Sequence, residues 1–280
     1  NALAADITLS NLVSGETLNH SGTATLSSAN AGSYTISNLT GISIADNAGL
    51  ASNYTLTGGT HNFTVNQKAI SLSGTRLYDA TTNAVASDLS THANLVGSQT
   101  LSLSGTGTLA NKHVGSNKTV SIGTLALADG SNGGLAANYT LTGGTHQLTV
   151  NQRPLNATLA RQYDATTTAA GSTLSSFDAL QGGENLTMSG SGTAASANVA
   201  NGIAMASNGN LALVDGTGSA SNYSLNSTIL NITQRIINTV YGTRIYDSTA
   251  IVNGSDLSNM NKDEGGTRLM PSYKVSSPNT

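Results

Sequence analysis

Asn53-Tyr54-Thr55-Leu56-Thr57-Gly58-Gly59-Thr60-His61 returns residue for residue as Asn138-Tyr139-Thr140-Leu141-Thr142-Gly143-Gly144-Thr145-His146, and a weaker copy opens Asn222-Tyr223-Ser224-Leu225. Asn138 follows Asn53 by 85 residues (138 − 53), and Asn222 follows Asn138 by 84 (222 − 138). A second anchor keeps nearly the same spacing: Tyr78-Asp79-Ala80-Thr81-Thr82, Tyr163-Asp164-Ala165-Thr166-Thr167 and Tyr246-Asp247-Ser248-Thr249. Two independent anchors on one period make the chain a tandem array. The period exceeds the roughly 20–50 residues of a solenoid repeat, so each unit is expected to hold a small core of its own.

Joints fall near Asn66-Gln67-Lys68, Asn151-Gln152-Arg153-Pro154 and Thr233-Gln234-Arg235, without Gly/Ser linkers that would let neighbours rotate freely. The chain divides into 1–67 (a module lacking its opening strand), 68–152 and 153–234 (complete modules), and 235–280 (an opening strand plus a divergent tail). Inside a module the pattern alternates with period two, as in Ile70/Leu72, Leu101/Leu103, Val120/Ile122 and Leu125/Leu127, which is the signature of half-buried strands. No capped stripe of period 3.6 is present; the segment around Ala84–Leu89 has room for a turn or two of helix. The fold expected is all-β, a β-sandwich or β-grasp-like sheet repeated as beads on a string. Tyr54-Thr55-Leu56-Thr57, Gly58-Gly59 and Thr60 to Val65 predict a hairpin with a tight two-residue turn.

Composition narrows the function. Only 9% of residues are charged and the net charge is −3, with eleven basic residues forming no cluster; nucleic acid, which needs grouped Lys and Arg, is not an expected partner. There is no cysteine, so disulfide frameworks, thiolate zinc sites and cysteine nucleophiles are excluded. No apolar run reaches the roughly 18 residues of a membrane-spanning helix, and no membrane insertion is expected. No nucleophile elbow, metal-ligand spacing or phosphate loop occurs, and neither an enzyme nor a cofactor is expected.

The layout of a joint, a strand ending in Leu77-Tyr78-Asp79-Ala80-Thr81-Thr82, a mid-module Ser104-Gly105-Thr106, then His113-Val114-Gly115-Ser116-Asn117-Lys118-Thr119-Val120 and Asn138-Tyr139-Thr140-Leu141 resembles the YDG-type repeat of filamentous-haemagglutinin-like bacterial exoproteins. The resemblance runs to about Leu257. It implies secretion, an extracellular or bacterial cell-surface location, and a stalk role in adhesion or biofilm. Ala80, Ala165 and Ser248 stand where the family's name has glycine, so the turn there is expected without a positive φ.

Four sets of residues invite a functional reading. The Tyr78/Asp79, Tyr163/Asp164 and Tyr246/Asp247 pairs could stack on a sugar, but a motif at one place in every module better suits a buried tyrosine and a turn-capping aspartate. The Asn53/Tyr54, Asn138/Tyr139 and Asn222/Tyr223 pairs are read in the same way, as a repeated structural motif. His61 and His146 are read as exposed strand residues, since the third copy has no histidine there. Asp46, Asp129 and Asp215 each precede the Asn-Tyr anchor in a polar loop; one carboxylate per loop is a poor match for the six to eight oxygens of calcium, so turns are expected ahead of weak calcium sites.

The first functional expectation is a structural spacer. The alternatives are a module that binds host or matrix glycans, or a fibre-forming subunit whose opening strand at 235–250 completes residues 1–67 of a neighbouring copy of itself.

Overall fold

The computed structural model describes residues 2–36, 38–238, 240–254 and 257–258. Among them there is no α-helix; strands alternate with short 3₁₀ turns, and the chain is all-β. The two complete modules share one topology. In the module at 68–152 a six-stranded sheet runs in the order Asn83–Val85, Thr106–Leu109, Gly115–Ser121, His146–Asn151, Ser71–Leu77, Thr91–Ala93. In the module at 153–234 the order is Thr168–Ala170, Ser191–Ala194, Ala200–Ser207, Tyr223–Thr233, Arg153–Gln162, Leu174–Phe177. In each sheet the first long strand and the last, here the opening and closing strands, lie side by side and parallel (Leu72 beside His146, Leu159 beside Leu230). That order is grasp-like. An antiparallel ribbon, Leu101–Ser104 with Ala126–Asp129, adds Leu101 and Leu125 to the core of the first sheet; Leu186–Ser189 with Ala212–Asp215 is its counterpart.

Strand alternation sets the core. The opening strand of the later module buries Leu155, Ala157 and Leu159, and its closing strand buries Thr228, Leu230 and Ile232, every second residue of each. Residues 2–67 hold the equivalents of the ribbon (Asn19–Ala24 with Ile42–Ala45) and of the closing-strand pair (Gly32–Thr35 with Asn62–Val65). Among the described residues no strand lies along the other edge of Asn62–Val65. There Phe63 and Val65 are only half-buried, whereas their counterparts Leu148 and Val150 are fully buried. Residues 235–252 carry Ile236, Ile237, Ile245 and Tyr246 largely exposed. The tail beyond 258 lies outside the described residues.

The expected hairpin does not form. Tyr139–Thr140 runs parallel to Lys68–Ala69, and His146–Asn151 runs parallel to Ser71–Leu77, so the chain keeps its direction through the glycines. Thr142-Gly143-Gly144 is a loop thrown out of one closing strand: the Thr142 N–H donates to Thr140 Oγ1, and the Gly144 N–H to the Leu141 carbonyl. The third copy, two residues shorter, runs through as one strand, Tyr223–Thr233, with only a register shift at Asn226 in its ladder to Arg153–Gln162. The histidines belong to the same loop and are not exposed. His146 is buried with Nε2 2.9 Å from the Leu141 carbonyl, and half-buried His61 makes the equivalent contact with Leu56 at 2.7 Å.

One glycine is required by geometry in every module. At Ser104-Gly105-Thr106 the chain steps from the ribbon into the large sheet; Gly105 has φ +85° and a Cβ there would lie 2.1 Å from the Thr124 carbonyl oxygen. Gly22 and Gly190 repeat the conformation and the close approach. Gly105→Ala is therefore expected to destabilise the module by at least about 2 kcal/mol, from left-handed strain plus backbone collision. Urea midpoints of the two proteins check this; equal midpoints would show that the corner relaxes freely.

Candidate functional site at the module joint

The recurrent residues converge on the joints. The Asn-Tyr anchor sits at the end of a 3₁₀ turn (Ala51–Asn53, Ala136–Asn138, Ala220–Asn222). The aspartate upstream fastens that turn: Asp46, Asp129 and Asp215 each accept the first N–H of the turn through Oδ1 at 2.7 Å, from Ala51, Ala136 and Ala220. Each of these carboxylates thus has a backbone partner, and among the described residues no group of three or more His, Cys, Asp or Glu side chains comes together.

The tyrosine of the anchor holds its own module. The Tyr54, Tyr139 and Tyr223 hydroxyls accept the N–H of Val13, Val96 and Gln181, at 3.0, 3.1 and 3.1 Å. Each hydroxyl donates in turn to the side chain three residues further on: Glu16, Gln99 at 2.5 Å and Glu184 at 2.8 Å. The segments 13–16, 96–99 and 181–184 are β-turns closed by N–H to carbonyl bonds, so each tyrosine pins a turn at both of its ends. Sequence reasoning missed these acceptors, although Glu16, Gln99 and Glu184 recur at the period of the anchors.

The asparagine reaches into the module ahead. Asn138 accepts the Ala31 N–H at 2.8 Å and donates to Asn30 Oδ1 at 3.0 Å; Asn222 accepts the Val114 N–H at 3.1 Å and donates to His113 Nδ1 at 3.1 Å. The glutamine of each linking segment adds a third bond, Gln67 to the Ala137 carbonyl and Gln152 to the Ser221 carbonyl, at 3.0 and 3.1 Å. Both joints are made by the same bonds between equivalent residues. Asn53, in the first module, is exposed.

The Tyr-Asp anchor supplies the rest. Tyr78 is fully buried, its ring edge-on to Tyr223 with centroids 5.3 Å apart, and its hydroxyl donates to Glu184 at 2.7 Å. Arg153 donates to the Tyr78 carbonyl at 2.6 Å, and the buried core of the 68–152 module continues through Tyr78 into Leu155, Leu186 and Tyr223 of the next. Tyr163 is 36% exposed and Tyr246 87% exposed, so the three tyrosines of this motif do not share one environment.

The aspartates Asp79, Asp164 and Asp247 all cap the turn that follows. Each takes both the N–H and the Oγ1 hydroxyl of Thr81, Thr166 or Thr249. An arginine three residues before each (Arg76, Arg161, Arg244) pairs with the carboxylate and donates to the threonine carbonyl. The Thr166 N–H and hydroxyl, with Arg161, hold the Asp164 carboxyl below the usual range. These arginines were also missed, although Arg-x-x-Asp can be read at the same period. The expectation of a negative φ here is overturned: Ala80, Ala165 and Ser248 stand at φ +63°, +67° and +61°. The aspartate and arginine bonds fix the turn strongly enough to hold a side chain where glycine would be unstrained.

Glu184 is the most heavily engaged group at a joint. It accepts from Tyr78, Tyr223 and, at 2.5 Å, from Lys112, and its side chain is 6% exposed. Burial pushes its carboxyl up, but the bonds from Lys112, Tyr78 and Tyr223 outweigh this and hold it below the usual range. Burial and the neighbouring carboxylate push Tyr223 up to about 12.

The fold and joints define a tandem array of all-β modules locked end to end. Residues 60–147 and 146–230 each match the YDG domain, and the chain belongs to that family. The matched windows begin near the closing strand of one module and end near that of the next, so they span the joints. No curated protein matches the chain. No solved structure matches it either.

Three measurements test this site. Ala165→Gly is expected to stabilise the chain by about 0.5–1 kcal/mol by relieving left-handed strain at an exposed position, seen as a raised denaturation midpoint. Ala80→Gly should gain less, because the Ala80 methyl packs beside Gly182 of the next module.

The third concerns pH. Folded Glu184 holds its proton less tightly than the ordinary carboxyl at 4.5, so its contribution is complete above that pH and is lost as pH falls through the lowered folded value. Folded Tyr223 holds its proton more tightly than the ordinary phenol at 10.0, so its contribution is lost as pH rises from 10.0 through about 12. Melting temperature against pH should show both flanks, and Glu184→Gln should flatten the acid one; an unchanged acid flank would remove Glu184 from this role.

Proposed function

We propose that this chain is a spacer: YDG modules forming part of the stalk of a secreted bacterial surface adhesin. The observation that carries this reading is the joint made twice from the same bonds. Asn138 with Asn30 and Ala31, and Asn222 with His113 and Val114, fix each module on the one ahead of it. A glycan-binding array would need only the modules. A stalk also needs neighbours held at a set orientation, and a buried tyrosine together with the clamping asparagine does this at the second joint. The parallel opening and closing strands add direction, because the chain enters a module at one end and leaves at the other, where the next begins.

The adhesin and cell-surface parts of the proposal rest on the likeness to filamentous-haemagglutinin-like exoproteins. Low charge and abundant Ser, Thr, Asn and Gly suit a solvated, chemically quiet surface. Antibodies raised against residues 68–234 are expected to label intact cells of the source organism or its culture medium; labelling confined to the cytosol would overturn the location. On a glycan array the purified chain is expected to show no saturable binding. Saturable binding to a defined sugar would replace the spacer with the glycan-binding reading.

A further inference from the structure

The clamp is constant from joint to joint, but the residues behind it are not. Ala29 and Lys112 are equivalent, each two residues before the N–H that the clamping asparagine accepts (Ala31, Val114). Gln99 and Glu184 are equivalent, each receiving the anchor tyrosine's hydroxyl proton. At the first joint Ala29 and Gln99 line a cavity of about 300 Å³ together with Asn138, Tyr139 and Lys68 of the linking segment. At the second joint Lys112 Nζ lies 2.5 Å from Glu184 Oε1. At these two positions a neutral residue thus accompanies a neutral one at the first joint, and a cation accompanies an anion at the second.

We propose that these two positions form a matched pair deciding which module docks on which: a module with an acid at the 184 position takes, ahead of it, only a module with lysine at the 112 position. The two mismatches are unequal to the two matches. Glu184 opposite alanine would keep two tyrosine hydroxyls but lose the lysine paired with it, at 6% exposure. Burying such a charge unpaired is far worse than a neutral pair of similar shape, so the acid acts chiefly by rejecting wrong neighbours.

The sequence continues the rule. Ala197, two residues before Val199, is the next equivalent of Lys112. In the copy that follows, the equivalent of Glu184 is Thr267, which stands 21 residues after Tyr246 (267 − 246), as Glu184 stands after Tyr163 (184 − 163). By sequence both positions are neutral again; Thr267 lies outside the described residues. Glu16, in the first module, specifies a lysine on the face of any module that docks ahead of it.

Amide hydrogen exchange of the full chain tests the pair, because the Val114 N–H reports the second joint and the Ala31 N–H the first. Lys112→Ala alone is expected to speed Val114 exchange about tenfold and leave Ala31 unchanged, with Glu184→Gln added to it bringing the rate back within about threefold of the parent. With Lys68, which lines the same cavity, replaced by alanine, Gln99→Glu should likewise speed Ala31 exchange, and Ala29→Lys added to it should reverse the effect. Lys112→Ala without effect, a double variant no slower than Lys112→Ala, Val114 and Ala31 accelerating together, or no rescue by Ala29→Lys would each overturn the proposal.

Discussion

Adjacent residues of the Asn-Tyr anchor work in opposite directions, and the array depends on that division. The tyrosine closes a turn of its own module; the asparagine, one residue earlier, closes a bond to the module ahead. Both stand on a 3₁₀ turn fastened by a single aspartate, so neither can move without the other. A module that has folded has therefore already aimed its asparagine. In a chain with 9% charged and 4% aromatic residues, the joint draws on few of either. It uses a few directional hydrogen bonds, partly screened from water, where each is worth more than on an open surface.

The parallel pairing of opening and closing strands supplies the other half of the architecture. Parallel neighbours in the middle of a sheet must enter and leave it in the same sense. The closing strand of one module runs on through Asn151-Gln152 into the opening strand of the next, which starts at Arg153. The long-range ladder that makes each sheet also propagates the chain in one direction. At the second joint the core follows: Tyr78 joins Leu155 and Tyr223, so part of the apolar burial that stabilises one module is shared with its neighbour.

Much of this was legible in the sequence, and what was not has definable causes. The period and the all-β class follow from anchors that repeat in identity and alternation. The partners of those anchors lie about 40 residues away, as Gln99 does from Tyr139, or in another module, as Glu184 does from Tyr78, and no local pattern connects them. Gly143-Gly144 carries a genuine turn signal, but the turn it makes is a loop within one strand and not a reversal. At Ala80 the absence of glycine argued for an ordinary φ, and the bonds around Asp79 and Arg76 prevail over that preference. The acceptors and arginines could have been found by extending the repeat alignment to every polar position.

Near-identical modules in one chain face a hazard that a single domain does not: each can dock on, or exchange strands with, the wrong neighbour while the chain is still folding. A clamp that is the same at every joint gives the same geometry everywhere but cannot tell one neighbour from another. Discrimination has to come from positions that contact across the joint yet carry no part of the clamp. Residues 29 and 112 on one side, and 99 and 184 on the other, vary where the asparagines and tyrosines do not; Lys112 and Glu184 meet across the second joint, where a mismatch would bury a charge. Uniform geometry thus rests on the asparagines and tyrosines and specific order on the charge of the residues beside them: Gln99 and Glu184 accept the same tyrosine proton, so the charge changes while that bond is kept.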